Sequence, residues 1–275
     1  MLPSWSGKLK SGAFVVLVIL LRYSNYMIDA STSPLVKLND FKLVLNNYKP
    51  NGDLLILLKE NPFVLLSAPS AAGRNTVIRH LLQTGRYYFV ISDTTRKPRK
   101  NNGILETNGT EYWFKSEDQF LDGLKSGNYV EAALIHNQQV SGINVNELKH
   151  AANNHTIPIT DVDIQGCDTI MNLSKHVIPV FILPPKFDEW MRRLDGRGVM
   201  DKDEKVRRLT SAIEEIEFAL KRDYFKYIIN DSIDQTSQTL HEHITTDTFG
   251  QTEQDNAHDH AKELIKELKV YLANF

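Results

Sequence analysis

The stretch Ala68-Pro69-Ser70-Ala71-Ala72-Gly73-Arg74-Asn75-Thr76 follows the apolar run "FVLLS" and precedes "VIRHLL". Strand, small-residue loop and helix start form the setting in which backbone N–H groups cradle phosphate. Such a loop needs glycine where the chain turns against the anion, a cation beside it, and a hydroxyl for a divalent metal ion. Gly73 stands directly before the cation. Arg74 carries its charge as a planar fork rather than the point charge of lysine. Asn75 offers an amide oxygen, and Thr76 a hydroxyl one position late. Ala68 and Ala71 occupy places where glycines are expected. Taken alone, the stretch fits a plain strand–turn–helix junction as well as a phosphate site.

Other residues widen the chemistry. "SDTTRKPR", Ser92 to Arg99, sets Arg96 and Arg99 three apart beside hydroxyls, a spacing at which two guanidiniums can grip one phosphate. Its plain alternative is a solvated basic loop. Asp161 and Asp163 in "TDVDIQG" are expected on one strand and therefore on one face. Arg192, Arg193, Arg197, Arg207 and Arg208 cluster around Gly196 and Gly198, which suits a mobile basic flap as well as the basic face of an amphipathic helix.

The elements that must hold these residues alternate. Residues 35–60 predict two short helices around the "KPNG" turn, and "FVLLS" a buried strand. A helix starts near Asn75, and "YYFVIS" is a second strand. A polar, turn-rich stretch precedes "TEYWFKS", which alternates as an exposed strand. "SEDQFLDGLKSG" has a capping-box start and a glycine stop. "NYVEAALIH", "TIPITDVDI", "VIPVFILPP" and "YFKYIIND" predict strands; "NVNELKHAANN" and "CDTIMNLS" predict helices, and 186–222 is helical with a break near "DGRGVMDKDE". This alternation indicates an α/β domain on a parallel sheet, with 93–145 inserted as a small subdomain. Residues 245–260 read as a polar linker and 261–275 as an amphipathic helix.

Length, charge and cysteine usage set limits. A chain of 275 residues suits one main domain with appendages. A net charge of −2 argues against a nucleic-acid-coating surface. One cysteine, Cys167, excludes an internal disulfide framework. "AFVVLVILL" at 13–21 is too short to span a bilayer but matches a signal-peptide core behind Lys8 and Lys10. It is open to three readings: an anchor or signal, a buried segment, or translated sequence upstream of a natural start at Met27. No stable membrane association is expected unless 13–21 is an anchor.

From about 62 to 244 the chain resembles the guanylate kinase family, P-loop nucleoside monophosphate kinases, here with an atypical phosphate loop. The resemblance rests on "APSAAGRNT", "SDTTRKPR", "NGTEYWF", "YVEAALIH", "TDVDIQG", "RRLDGRG" and "YIIND" in the family's order. It implies a P-loop kinase fold: a parallel sheet flanked by helices, a small β-rich GMP-binding subdomain (93–145) and a helical lid (186–210). It also implies phosphoryl transfer from ATP to GMP with Mg²⁺ in the cytoplasm. By resemblance, Ser70, Ala71, Ala72, Gly73, Arg74, Asn75, Thr76, Arg193 and Asn230 bind ATP, and Asn75 and Thr76 face Mg²⁺. Arg96, Arg99 and Tyr112 bind the GMP phosphate; Ser92, Glu131 and Asp163 read guanine. Arg74, Asp161, Arg197 and Arg208 act in the transfer.

The departures matter too. Ser141 falls where the family has a phosphate-binding tyrosine, and Ile143 where it has a hydroxyl. Beside the active kinase stand two alternatives: a binding module with an impaired site, and a kinase for another monophosphate. Survival of the acceptor and lid residues favours the active GMP kinase.

Overall fold

The computed structural model describes residues 35–275 except 102, 197, 199 and 247. The apolar segment 13–21 and both candidate starts, Met1 and Met27, lie outside the described residues.

In chain order the elements begin with α1 (Leu38–Asn46), α2 (Asp53–Glu60), β1 (Phe63–Ser67), α3 (Arg74–Gln83), β2 (Tyr87–Phe89) and β3 (Asp93–Thr94). Then come β4 (Lys100–Asn101), β5 (Ile104–Leu105), β6 (Trp113–Phe114), α4 (Glu117–Lys125), β7 (Tyr129–Ile135), β8 (Gln139–Asn144) and α5 (Val145–Asn153). The remainder is β9 (Ile157–Asp161), α6 (Ile164–Leu173), β10 (Val177–Leu183), α7 (Phe187–Asp195), α8 (Lys202–Leu220), β11 (Lys226–Ile229), α9 (Ile233–Thr246) and α10 (Gln251–Ala273). Contacts divide them into two compact units. One is Val90–Lys149 with the described residues up to Ile56; the other is Leu57–Phe89 with His150–Phe275.

The second unit is built on a parallel five-stranded sheet in the order β11-β10-β1-β9-β2. β1 is buried at every residue, as a central strand of a sheet covered on both faces must be. Val64 and Leu66 pack with Val77, Ile78 and Leu81 of α3 and with Leu240 and Ile244 of α9. α6 and α8 pack together, and α6 also lies against β1 and β10.

The Val90–Lys149 unit carries a four-stranded sheet, β6-β3-β8-β7. β7 and β8 form a hairpin whose turn residues His136 and Asn137 have φ of 50° and 57°, the paired left-handed geometry that matches strand twist. α4 starts in a full capping box between Ser116 and Gln119. Phe41 of α1, Phe120, Leu121 and Leu124 of α4, and Tyr129 of β7 form this unit's core.

Several expectations are corrected. The stretch 245–260 is not a linker: α9 runs to Thr246 and α10 starts at Gln251. Ala257 and Ala261 are buried and extend the apolar face of Leu264 and Leu268 into a polar-looking run. "YYFVIS" and "TEYWFKS" shrink to β2 and β6. "QVSGIN", assigned to no element from the sequence, is the strand β8. No helix among the described residues is long and apolar enough to cross a membrane.

Candidate active site

In the larger unit β1 delivers the loop 68–73 at its carboxyl end, where ligands bind in open α/β sheets. The loop turns by two left-handed residues, Ala71 at φ 66° and Gly73 at φ 98°. A Cβ on Gly73 would lie 2.2 Å from Asn230 Nδ2, so glycine is required there twice over. The loop is braced from outside. Trp190 Nε1 donates to the Ser70 carbonyl at 2.8 Å, and buried Asn230 Nδ2 donates to the Ala72 carbonyl at 2.8 Å. These bonds consume loop carbonyls and leave the start of α3 as the anion-attracting end.

Arg74 opens α3 and turns to the acidic strand end. Its NH2 donates to Asp161 Oδ2 at 2.6 Å, NH1 to the Val162 carbonyl at 3.5 Å and Nε to Asn75 Oδ1 at 3.4 Å. Asn75 and Thr76 are exposed, and Thr76 Oγ1 accepts from Arg79 at 3.4 Å.

Asp161 ends β9, but Asp163 does not share that strand, which corrects the expectation that both carboxylates face one side. Asp163 is the N-cap of α6: its Oδ1 accepts from the Gln165 and Gly166 amides at 3.0 and 2.6 Å. Helix capping outcompetes strand continuation there because it satisfies orphan N–H groups. Burial raises the Asp163 carboxyl's pKa against the lowering effect of those two amides. Sequence reasoning missed Glu215 on α8. Burial pushes its carboxyl up to about 7, with Arg74 pulling it down and Asp163 and Glu214 adding to the rise.

Arg193 on α7 is held by Glu189 at 2.8 Å and donates to the carbonyls of Asn230 at 3.0 Å and Asp231 at 3.2 Å. Arg193, Asn230 and the loop thus form one network. Arg208 stands apart on α8, 40% exposed and paired with Glu204 at 2.7 Å. Arg197 lies outside the described residues. Of the two flap glycines, Gly198 has the left-handed φ of 125° while Gly196 is an ordinary helix C-cap.

In the Val90–Lys149 unit Arg96 is already gripped. Its NH1 and NH2 donate to Glu106 at 2.5 and 2.8 Å, NH1 also reaches the Lys97 carbonyl at 3.0 Å, and both side chains are about 5% exposed. The Tyr112 ring lies 4.6 Å from its guanidinium carbon. Glu106 also accepts the Arg99 amide at 2.8 Å, so one carboxylate ties both arginine positions; the Arg99 residue is exposed. Glu106 was not foreseen, although an acid seven residues beyond Arg99 was a readable signal. Glu147 was also missed. It accepts from the Ile91 amide and the Trp113 indole at 2.9 Å each, fixing the backbone around Ser92, whose carbonyl accepts the Trp113 amide.

Glu131 is half-buried on β7. On the neighbouring strand Gly142 pairs with Ala132, and a Cβ on it would lie 2.5 Å from the Glu131 carbonyl and 2.8 Å from the Ala132 Cβ, so only glycine lets β8 approach there. Ser141 donates to Thr94 Oγ1 at 2.9 Å, and Ile143 is buried.

Comparison with known proteins identifies the family. The family model described as guanylate kinase matches residues 59–247. The guanylate kinase of Sulfurimonas denitrificans is 33% identical over 184 residues, 66% of this chain and 86% of that protein. That of Ruegeria pomeroyi is 32% identical over 209 residues, 75% of this chain and 95% of that protein. The crystal structure of guanylate kinase from Anaplasma phagocytophilum aligns at 24% identity and a TM-score of 0.49, covering 75% of this chain and 94% of that one. With the family model matching residues 59–247 and relatives of 32–33% identity over 66–75% of its length, the chain belongs to the guanylate kinase family.

Proposed function

We propose that this chain transfers the terminal phosphate of ATP to GMP, giving ADP and GDP. The observation that carries this reading is Arg74. Although it replaces the expected lysine, it sits at the helix start beside Asp161, and its five-donor fork has N–H groups to spare beyond its three contacts. Catalysis of this kind is positioning and charge stabilisation with no covalent step on the protein. The loop amides and Arg74 hold the donor phosphates, Arg96, Arg99 and Tyr112 the acceptor phosphate, and Ser92 and Glu131 the guanine. Asp163 is assigned to guanine as well, its helix cap using only Oδ1. Arg193 and Asn230 flank the donor base, while Arg197 and Arg208 neutralise charge on the group in flight and Asp161 orients Arg74.

Nucleotide-bound Mg²⁺ needs only one or two protein oxygens, because water and phosphate supply the others. Asn75 Oδ1 and Thr76 Oγ1, exposed on the first turn of α3, fit that need. Bound there, Mg²⁺ would neutralise phosphate charge. A reaction on ATP and GMP fits a cytoplasmic protein.

The test is a coupled assay with ATP, GMP and Mg²⁺ beside Glu131→Ala. Turnover with GMP, lost in the variant, is expected. No turnover and no nucleotide binding would leave the binding-module reading, and a preference for AMP or CMP would leave a kinase for another monophosphate.

A further inference from the structure

β7 is an edge strand of its sheet, so one row of its backbone groups lacks a neighbouring strand. At its start the register slips: Tyr129 pairs with Asn144 and Glu131 with Ile143, leaving Val130 as an extra residue. Such a bulge re-aims the side chain that follows it, here Glu131. Tyr48, in the turn between α1 and α2, closes this edge. Its hydroxyl accepts from the Tyr129 amide at 2.8 Å and donates to the Tyr129 carbonyl at 2.6 Å. One hydroxyl thus does the work of a missing strand. Asn51 adds a second tie, its amide donating to the Gly127 carbonyl at 3.0 Å. Burial pushes the Tyr48 phenol up to about 12, with the nearby Glu131 charge adding to the rise, so it stays protonated and keeps both roles. Tyr48 precedes the family match, which begins at residue 59.

We propose that Tyr48 is a positioning residue for base recognition, pinning the bulge that aims the Glu131 carboxylate at the guanine 2-amino and N1–H groups. This rests on the reading above that Glu131 contacts guanine. Inosine monophosphate lacks the 2-amino group, so the ratio of GMP to IMP affinity reports how well Glu131 is aimed.

The experiment is titration calorimetry of the full chain with GMP, IMP and ATP, for wild type, Tyr48→Phe, Tyr48→His and Glu131→Gln, with melting temperatures alongside. Wild type is expected to favour GMP and Glu131→Gln to lose that preference. Tyr48→Phe should weaken GMP about tenfold and IMP much less, with ATP unchanged. Tyr48→His, which restores a donor and an acceptor, should recover part of the preference and supplies the readout if the Phe variant does not fold. A GMP:IMP ratio equal to wild type in the folded Tyr48 variants overturns the proposal, whatever their melting temperatures. A wild type with no preference, or a Glu131→Gln that retains it, overturns the base reading itself and the inference with it.

Discussion

Arg96 and Arg74 are both candidate phosphate-binding arginines held by a carboxylate, one in each unit, and they are held differently. The Arg96–Glu106 pair is bidentate, with side chains 5% and 6% exposed. The Arg74–Asp161 contact is made by one nitrogen, with side chains 25% and 34% exposed. A buried pair cannot lose a partner without stranding a charge. A half-exposed one can trade its partner for water or phosphate at little cost. Arg96 is therefore a fixed part of its unit, and Arg74 a cation able to change partner. The same residue type is locked in one place and movable in the other, and burial decides which.

The largest effect expected from this difference is on stability. Glu106→Ala should cost about 3–5 kcal/mol in denaturant unfolding, while Asp161→Ala should cost under about 1 kcal/mol. Equal losses would abolish the distinction. The next is on rate. Arg74→Ala should lower kcat on the order of 100-fold with little change in unfolding. Arg74→Lys should lower it several-fold, because a single ammonium nitrogen lacks the planar fork that lets Arg74 reach Asp161, Val162 and a phosphate from separate nitrogens; a higher kcat would show the fork to be an impediment. Asn230→Ala leaves the Ala72 carbonyl without its brace and should raise the KM for ATP about tenfold, leaving that for GMP unchanged.

The smallest concerns pH. The folded pKa of Glu215, about 7, lies above its ordinary 4.5. The folded state thus favours the protonated form, and the stability this group contributes is present below pH 4.5 and lost as pH rises through about 7. The charged neighbours acting on it are Arg74, Asp163 and Glu214. Glu215→Gln should raise the melting temperature by roughly 3 °C at pH 8 and leave it unchanged at pH 4. A shift of equal size at both values would rule out titration as its cause.

Much of the scaffold was legible because its signals are local. "FVLLS" is apolar throughout and became the central strand; Ser116 and Gln119 spelled out a capping box that the structure contains. The helix α9 could have been read from Ile233, Leu240 and Ile244, which recur at helical spacing, but threonines and glutamines between them hide it. The two-residue strand β3 carries no local signal, since it exists only through the strands it pairs with. In the candidate site the residue types and their order were readable. Their partners were not: Glu106, Glu147, Trp190 and Tyr48 lie 7 to 120 residues from what they hold.

By itself the sequence determined the α/β alternation, the loop at the end of β1, the basic segment 92–99 and the family. These follow from periodicity, glycine placement and residue order along the chain. Only the tertiary structure decided that Asp163 caps a helix instead of extending a strand, that α10 begins at Gln251, and that Arg96 is locked while Arg74 is not. Each of those outcomes depends on burial and on partners distant in sequence, and neither quantity exists until the chain has folded.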